Sequence, residues 1–129
     1  MKIAIIDDDK LFVKIMEMTG KLTGRLVEYI EFYDGETALE FFTKNVECPE
    51  ELPDIIFLDL DMPVTDGWVF LNEFEPLSLK SPKRMPLYIT TSSLAPTDNA
   101  LGIKSPVVSG YLVKPVSRER LWEILDGLD

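Results

Sequence analysis

Histidine is absent from this sequence. That removes imidazole bases, histidine metal ligands and any phosphohistidine role in one step. Cysteine occurs once, at Cys48, so no internal disulfide can form, which fits a reducing compartment. Long apolar runs are missing too. No stretch approaches the roughly 20 apolar residues of a membrane span. The N-terminal run Ile3 to Ile6 is too short for the core of a signal peptide, and acidic residues follow at once. A cytoplasmic protein without membrane contact is expected. Basic residues are scarce: 13 Lys and Arg stand against 23 Asp and Glu, a formal net charge of −10. A field of that sign repels phosphate backbones and argues against direct nucleic-acid binding. It suits a hard cation, or a basic patch on a protein partner.

What is present is the profile of one soluble globular domain spanning residues 1–129, 46% hydrophobic and 28% charged. There is no internal repeat, low-complexity tract or long linker. Five short apolar runs alternate with segments of helical period. That alternation predicts βαβ units and a parallel sheet covered on both faces. The first strand is read over Lys2–Ile6. Leu11, Ile15, Met18 and Leu22 then recur at spacings of four, three and four, which marks one face of the first helix. A second strand follows over Leu26–Phe32, and Tyr33-Asp34-Gly35 turns into a helix with Ala38, Leu39 and Phe42 inward. The third strand is Ile55–Leu58, and its helix points Phe70, Leu71 and Phe74 inward after a turn at Asp66-Gly67. The fourth strand is Leu87–Thr91. Thr97 or Asp98 could cap a short fourth helix, interrupted by Gly102 and Pro106. The fifth strand is Tyr111–Val113, and Ser117 caps a last helix with Leu121, Ile124, Leu125 and Leu128 on its apolar face. The expected class is α/β: a flavodoxin-like (βα)₅, doubly wound five-stranded parallel sheet of order 2-1-3-4-5.

Such a sheet binds ligands beyond the carboxyl ends of its strands, at the switch point between strands one and three. Asp7, Asp8 and Asp9 follow strand one, Asp59 ends strand three, and Asp61 stands two residues on. Thr91, Ser92 and Ser93 lie at the end of strand four, and Lys114-Pro115 follows strand five. Converging carboxylates stay ionised together only with a cation among them. Oxygen ligands without imidazole favour Mg²⁺, with Mn²⁺ as the alternative. An aspartate can attack phosphorus to give an acyl phosphate, a reaction that needs alignment and charge neutralisation. Asp59 is the best nucleophile, with Lys114 and the Thr91 hydroxyl placed to meet phosphoryl oxygens. Each residue alone has an ordinary explanation. Aspartates after strands are turn and capping residues, Asp9 is a natural cap for the first helix, and Lys114 alone would be a solvated charge. The specificity lies in the conjunction.

The strings IAIIDDD, DIIFLDLDMPVTDGW, ITTS and GYLVKP together resemble the response-regulator receiver family of two-component signalling, over essentially the whole chain. The resemblance implies roles by position. Asp7 and Asp8 match the acidic pair that holds the metal, and Asp59 the phosphoacceptor, itself a metal ligand. Asp61 matches the position whose backbone carbonyl also ligates Mg²⁺. Thr91 matches the switch hydroxyl, Lys114 the site lysine, and Tyr111 the aromatic coupled to that hydroxyl. Thr90 departs from the pattern, since the matching position is usually apolar; five residues counted from Pro86 select Thr91 as the switch. The side chain of Asp61 adds a further acid.

The implied function is a stand-alone receiver that takes a phosphoryl group from a histidine kinase or histidine phosphotransfer protein. Its only catalysis is its own Mg²⁺-dependent phosphorylation and dephosphorylation. Output would pass through the surface of the fourth helix, fifth strand and last helix to a protein target, or to a homodimer formed there. Little chain follows the last helix, so output through protein partners is expected if these residues are the full protein, whereas in a longer protein the remaining part would decide the output. Three rival readings fit the residues less well. DLDMPV resembles the DxD motif of haloacid-dehalogenase-type phosphatases, but it sits on the third strand rather than the first. A flavodoxin-like FMN binder needs a Ser/Thr/Gly-rich first loop where three aspartates stand. A degenerate receiver would lack one of the chemical positions, and all are filled.

Overall fold

The computed structural model describes residues 1–60, 62, 67–92 and 106–128. The chain runs β1 (Lys2–Ile6), α1 (Lys10–Leu22), β2 (Glu28–Phe32), α2 (Gly35–Asn45), β3 (Ile55–Asp59), α3 (Gly67–Lys80), β4 (Leu87–Thr91), β5 (Val108–Val113) and α4 (Arg118–Asp126). The sheet order is β2-β1-β3-β4-β5, with every neighbouring pair parallel. This is the expected doubly wound sheet. The expected fourth helix, with its candidate caps Thr97 and Asp98, lies outside the described residues.

The central strands are apolar without a break because both faces are covered. Their period of two sends alternate residues to two cores. Ala4, Ile6, Ile56, Leu58, Leu87 and Ile89 meet α2 and α3 through Phe42, Phe70 and Phe74. Ile3, Ile5, Ile55 and Phe57 meet α1 and α4 through Phe12, Val13, Leu121 and Ile124. Each fully buried large side chain contributes about 2 kcal/mol of hydrophobic stabilisation. The helices start at side-chain caps. Asp9 Oδ1 accepts from the Leu11 and Phe12 amides, Asp34 Oδ1 from Thr37, and Ser117 Oγ from Arg120.

Several sequence readings need correction. The face that the spacing marks on α1, through Leu11, Ile15, Met18 and Leu22, is its exposed stripe, and Phe12, Val13, Met16 and Gly20 are buried instead. The sheet lies against the second of two apolar stripes on the same helix. Gly20 belongs to the inward stripe because the Tyr29 hydroxyl occupies the place where its Cβ would be. β2 begins at Glu28, leaving Leu26 almost wholly exposed. β5 begins at Val108, three residues before the expected Tyr111, because pairing with β4 extends back to Leu87.

Gly67 is more than a turn residue. Its amide donates to Leu60 O at 3.0 Å, closing the loop after β3. A Cβ there would stand 2.6 Å from Leu60 Cα and 2.7 Å from Asp59 O. Only a glycine lets α3 start this close to the end of β3.

Candidate functional site

The parallel register brings the strand ends together before any side chain is considered. Ile6 lies opposite Leu58, so Asp7 and Asp59 leave adjacent strands side by side. The Asp7 amide donates to Phe32 O at 2.9 Å, carrying the β1–β2 ladder one residue past the strand. On the other side Asp59 lies opposite Thr90. The Lys114 amide donates to Thr91 O at 2.9 Å, which extends β4–β5 pairing and fixes where the lysine side chain begins.

Asp7 is completely buried, and both of its oxygens are engaged. Oδ1 accepts from the Asp9 amide at 2.9 Å, and Oδ2 accepts from Lys114 Nζ at 2.8 Å. The same ammonium stands 3.7 Å from Asp59 Oδ2. Asp59 is 5% exposed, whereas Asp8 faces solvent. One carboxylate oxygen from each of Asp7, Asp8 and Asp59 lies within 4.8 Å of the others. Three carboxylates at that separation hold up to three negative charges against a single ammonium among the described residues. The surplus is best met by a cation that prefers oxygen. Exposure of Asp8 leaves one side of the cluster open to water, which suits an ion that keeps part of its hydration shell. The donor set therefore fits Mg²⁺ or Mn²⁺.

Thr90 and Thr91 are both buried at the end of β4. Strand alternation separates them: Thr91 shares a face with Leu87 and Ile89, toward α2 and α3, whereas Thr90 shares the face of Tyr88. Tyr111 pairs with Ile89 and packs on the α2–α3 side, so it occupies the same face of the β4–β5 edge as Thr91. Asp61 lies outside the described residues.

Two site neighbours escaped the sequence reading. Asp9, expected only as a helix cap, also gives its own amide to Asp7. Phe12, one turn into α1, places its ring 4.3 Å from Lys114 Nζ. Neither has a signal in residue type alone. Phe12 would have been found by asking which side chain of the first turn faces the sheet.

The model of the response regulator receiver domain family matches residues 3–126. A protein of Guillardia theta described as "Probable transcriptional regulator ycf27" is 29% identical over 120 residues, 93% of this chain. The chain spans 42% of that protein and 14% of a second curated relative. A two-component response regulator from Cytophaga hutchinsonii superposes with a TM-score of 0.84 at 24% identity, covering 98% of this chain and 95% of the other. The Mn(2+)-bound form of response regulator Rcp1 superposes with a TM-score of 0.72 at 26% identity, covering 98% and 90%. With this match over nearly its full length, the chain belongs to the response regulator receiver domain family of two-component signalling.

Proposed function

We propose that this receiver accepts a phosphoryl group on Asp59 in a Mg²⁺-dependent reaction. The observation that supports the reading is one ammonium, Lys114 Nζ, standing 2.8 Å from Asp7 and 3.7 Å from Asp59 within a cluster of three carboxylates. An Asp59 carboxylate oxygen attacks phosphorus as the bond to the donor nitrogen of a phosphohistidine breaks. The electron pair leaves with the imidazole, which retains or gains its proton from water, and an acyl phosphate remains on Asp59. Asp7, Asp8 and Asp59, with the backbone carbonyl of Asp61, would hold the metal. When bound, Mg²⁺ (or Mn²⁺) supplies neutralisation of phosphoryl charge. Lys114 meets a second phosphoryl oxygen as a point charge, and the Thr91 hydroxyl donates to a third. Drawing Thr91 inward alters the packing available to Tyr111 on the same face, which passes the change to the β4–β5 edge. Asp59 is consumed and regenerated on this chain, so the protein acts as a switch.

The phosphodonor is a histidine kinase or histidine phosphotransfer protein. The exposed α1 stripe supports a helical docking partner. Leu11, Ile15, Met18 and Leu22 have the four-three-four spacing of a helix–helix seam, and the stripe begins at the helix end beside the carboxylates. The downstream target is a protein, or a second copy of this chain. The output surface includes residues 93–105, which lie outside the described residues. Among the described residues, no helix is long and apolar enough to cross a membrane.

The test is incubation with Mg²⁺ and acetyl phosphate, with Asp59→Asn in parallel, read by intact mass. A Mg²⁺-dependent gain of one phosphoryl group that is absent in the variant is expected. An unmodified wild type, or an equally modified variant, would overturn the assignment.

A further inference from the structure

Lys114 has a flexible four-carbon stem and a strongly hydrated head, and such side chains normally extend to water. Here the side chain is only 18% exposed, and the ammonium stays between two acids. Its salt bridge to Asp7 is one reason. The other is Phe12, whose ring face takes the ammonium at 4.3 Å. That distance lies well inside the range of a cation–π contact, and partial burial strengthens the attraction.

Phe12 is itself held in place by the site. Its amide donates to Asp9 Oδ1 at 3.2 Å, and the amide of Asp9 donates to Asp7 Oδ1 at 2.9 Å. Asp7 Oδ2 then accepts from Lys114, which returns to the Phe12 ring. The contacts form a closed circuit: Asp7, Asp9, Phe12, Lys114 and back to Asp7. Phe12 is 7% exposed, so water does not compete for its ring face.

We propose that Phe12 is a positioning residue for phosphoryl transfer, its ring holding the Lys114 ammonium out of solvent and beside Asp59. The inference rests on the reading of Asp59 as phosphoacceptor. The chemistry explains why a ring serves better than another polar group. A hydrogen-bond acceptor at this place would fix the ammonium in one direction. A quadrupolar face attracts the charge without demanding a particular N–H vector. The ammonium can therefore swing from Asp7 toward a phosphoryl oxygen on Asp59 while keeping its second contact. An aliphatic side chain would fill the same core volume and offer no such attraction.

The experiment compares wild type, Phe12→Leu and Phe12→Tyr at a temperature well below the melting point of each. The rate of adduct formation with acetyl phosphate and Mg²⁺ is read by intact mass. In parallel, proton–carbon NMR follows the Lys114 Cε protons. The wild type is expected to show them shifted upfield by the ring current. Phe12→Leu is expected to lose that shift and to form the adduct about tenfold more slowly, the size of a partly desolvated cation–π contact. Phe12→Tyr is expected to keep both. A purely structural role would lower the melting temperature of Phe12→Leu and leave the rate of its folded form unchanged. Ordinary Cε proton shifts in the wild type would overturn the inference. So would a folded Phe12→Leu that reacts at the wild-type rate, or a Phe12→Tyr that keeps the shift but reacts as slowly as Phe12→Leu. If the wild type forms no adduct, the Asp59 reading falls and takes this inference with it. An adduct in the wild type with an indifferent Phe12→Leu removes this inference alone.

Discussion

Replacing Lys114 by methionine removes the only cation that the described residues place within 4 Å of Asp7 or Asp59. With an effective dielectric of about 20, the ammonium attracts Asp7 at 2.8 Å by roughly 6 kcal/mol and Asp59 at 3.7 Å by roughly 4.5 kcal/mol, before desolvation is subtracted. Two carboxylate oxygens at the 4.8 Å outer limit of the cluster repel by about 3.5 kcal/mol on the same scale, and those from Asp8 are weakened by solvent. The attractions and repulsions are thus of similar size, and the lysine is what keeps them in balance. The variant cannot lose all of this, because a stranded carboxylate can take up a proton instead. For an ordinary aspartate at pH 7 that costs about 4 kcal/mol, which sets the ceiling. The expected loss is therefore about 2–4 kcal/mol at pH 7 without divalent metal. Mg²⁺ should also recover more stability in the variant than in the wild type, because among the described residues no ammonium then shares the carboxylates with it. Urea unfolding at pH 7, with and without Mg²⁺, measures both effects. A loss below about 1 kcal/mol, or one insensitive to Mg²⁺, would refute the reasoning.

Gly67→Ala should destabilise by about 3 kcal/mol, since its Cβ meets backbone atoms at 2.6 and 2.7 Å that cannot rotate away. Because those atoms belong to Leu60 and Asp59, adduct formation should slow as well. Denaturation with a midpoint like the wild type would show that the loop has room. Glu17→Gln should stabilise the fold at neutral pH by about 1 kcal/mol. Burial, and then the hydrogen bond and charge of Glu31, raise the Glu17 carboxyl above its ordinary value, and its Oε2 finds no hydrogen-bond partner among the described residues. Lys14 and Lys21 oppose that shift. A raised carboxyl costs stability at higher pH and ceases to do so once both states are protonated. The advantage of the variant should therefore vanish below about pH 4. Thermal melts across pH 3.5–8 test this, and a pH-independent difference would contradict it.

The sheet order and the site were legible for the same reason. Strand ends in a parallel sheet all point one way, so residues that follow five apolar runs must share one edge. Asp7, Asp59, Thr91 and Lys114 could be brought together without knowing any packing angle. The face of α1 could not. Between Leu11 and Leu22 the helix carries apolar residues on two stripes, one through Leu11, Ile15, Met18 and Leu22, the other through Phe12, Val13 and Met16. Periodicity finds stripes, but it does not say which one the sheet will take when both are apolar. Position decides it. Asp9 caps the helix and gives its amide to buried Asp7, so the first turn is anchored with Phe12 toward the sheet and Leu11 toward water. Each later turn inherits that rotation. The stripe with the regular spacing is left outside because an inward stripe only has to fit irregular strand surfaces, as Gly20 does beneath Tyr29. An outward seam spaced for another helix has no such role within this fold. The buried face of α1 and the proposed docking surface therefore have one physical cause. The carboxylate cluster sets the rotation of α1, and that rotation presents the seam proposed to take a partner helix beside the residue proposed to receive the phosphoryl group.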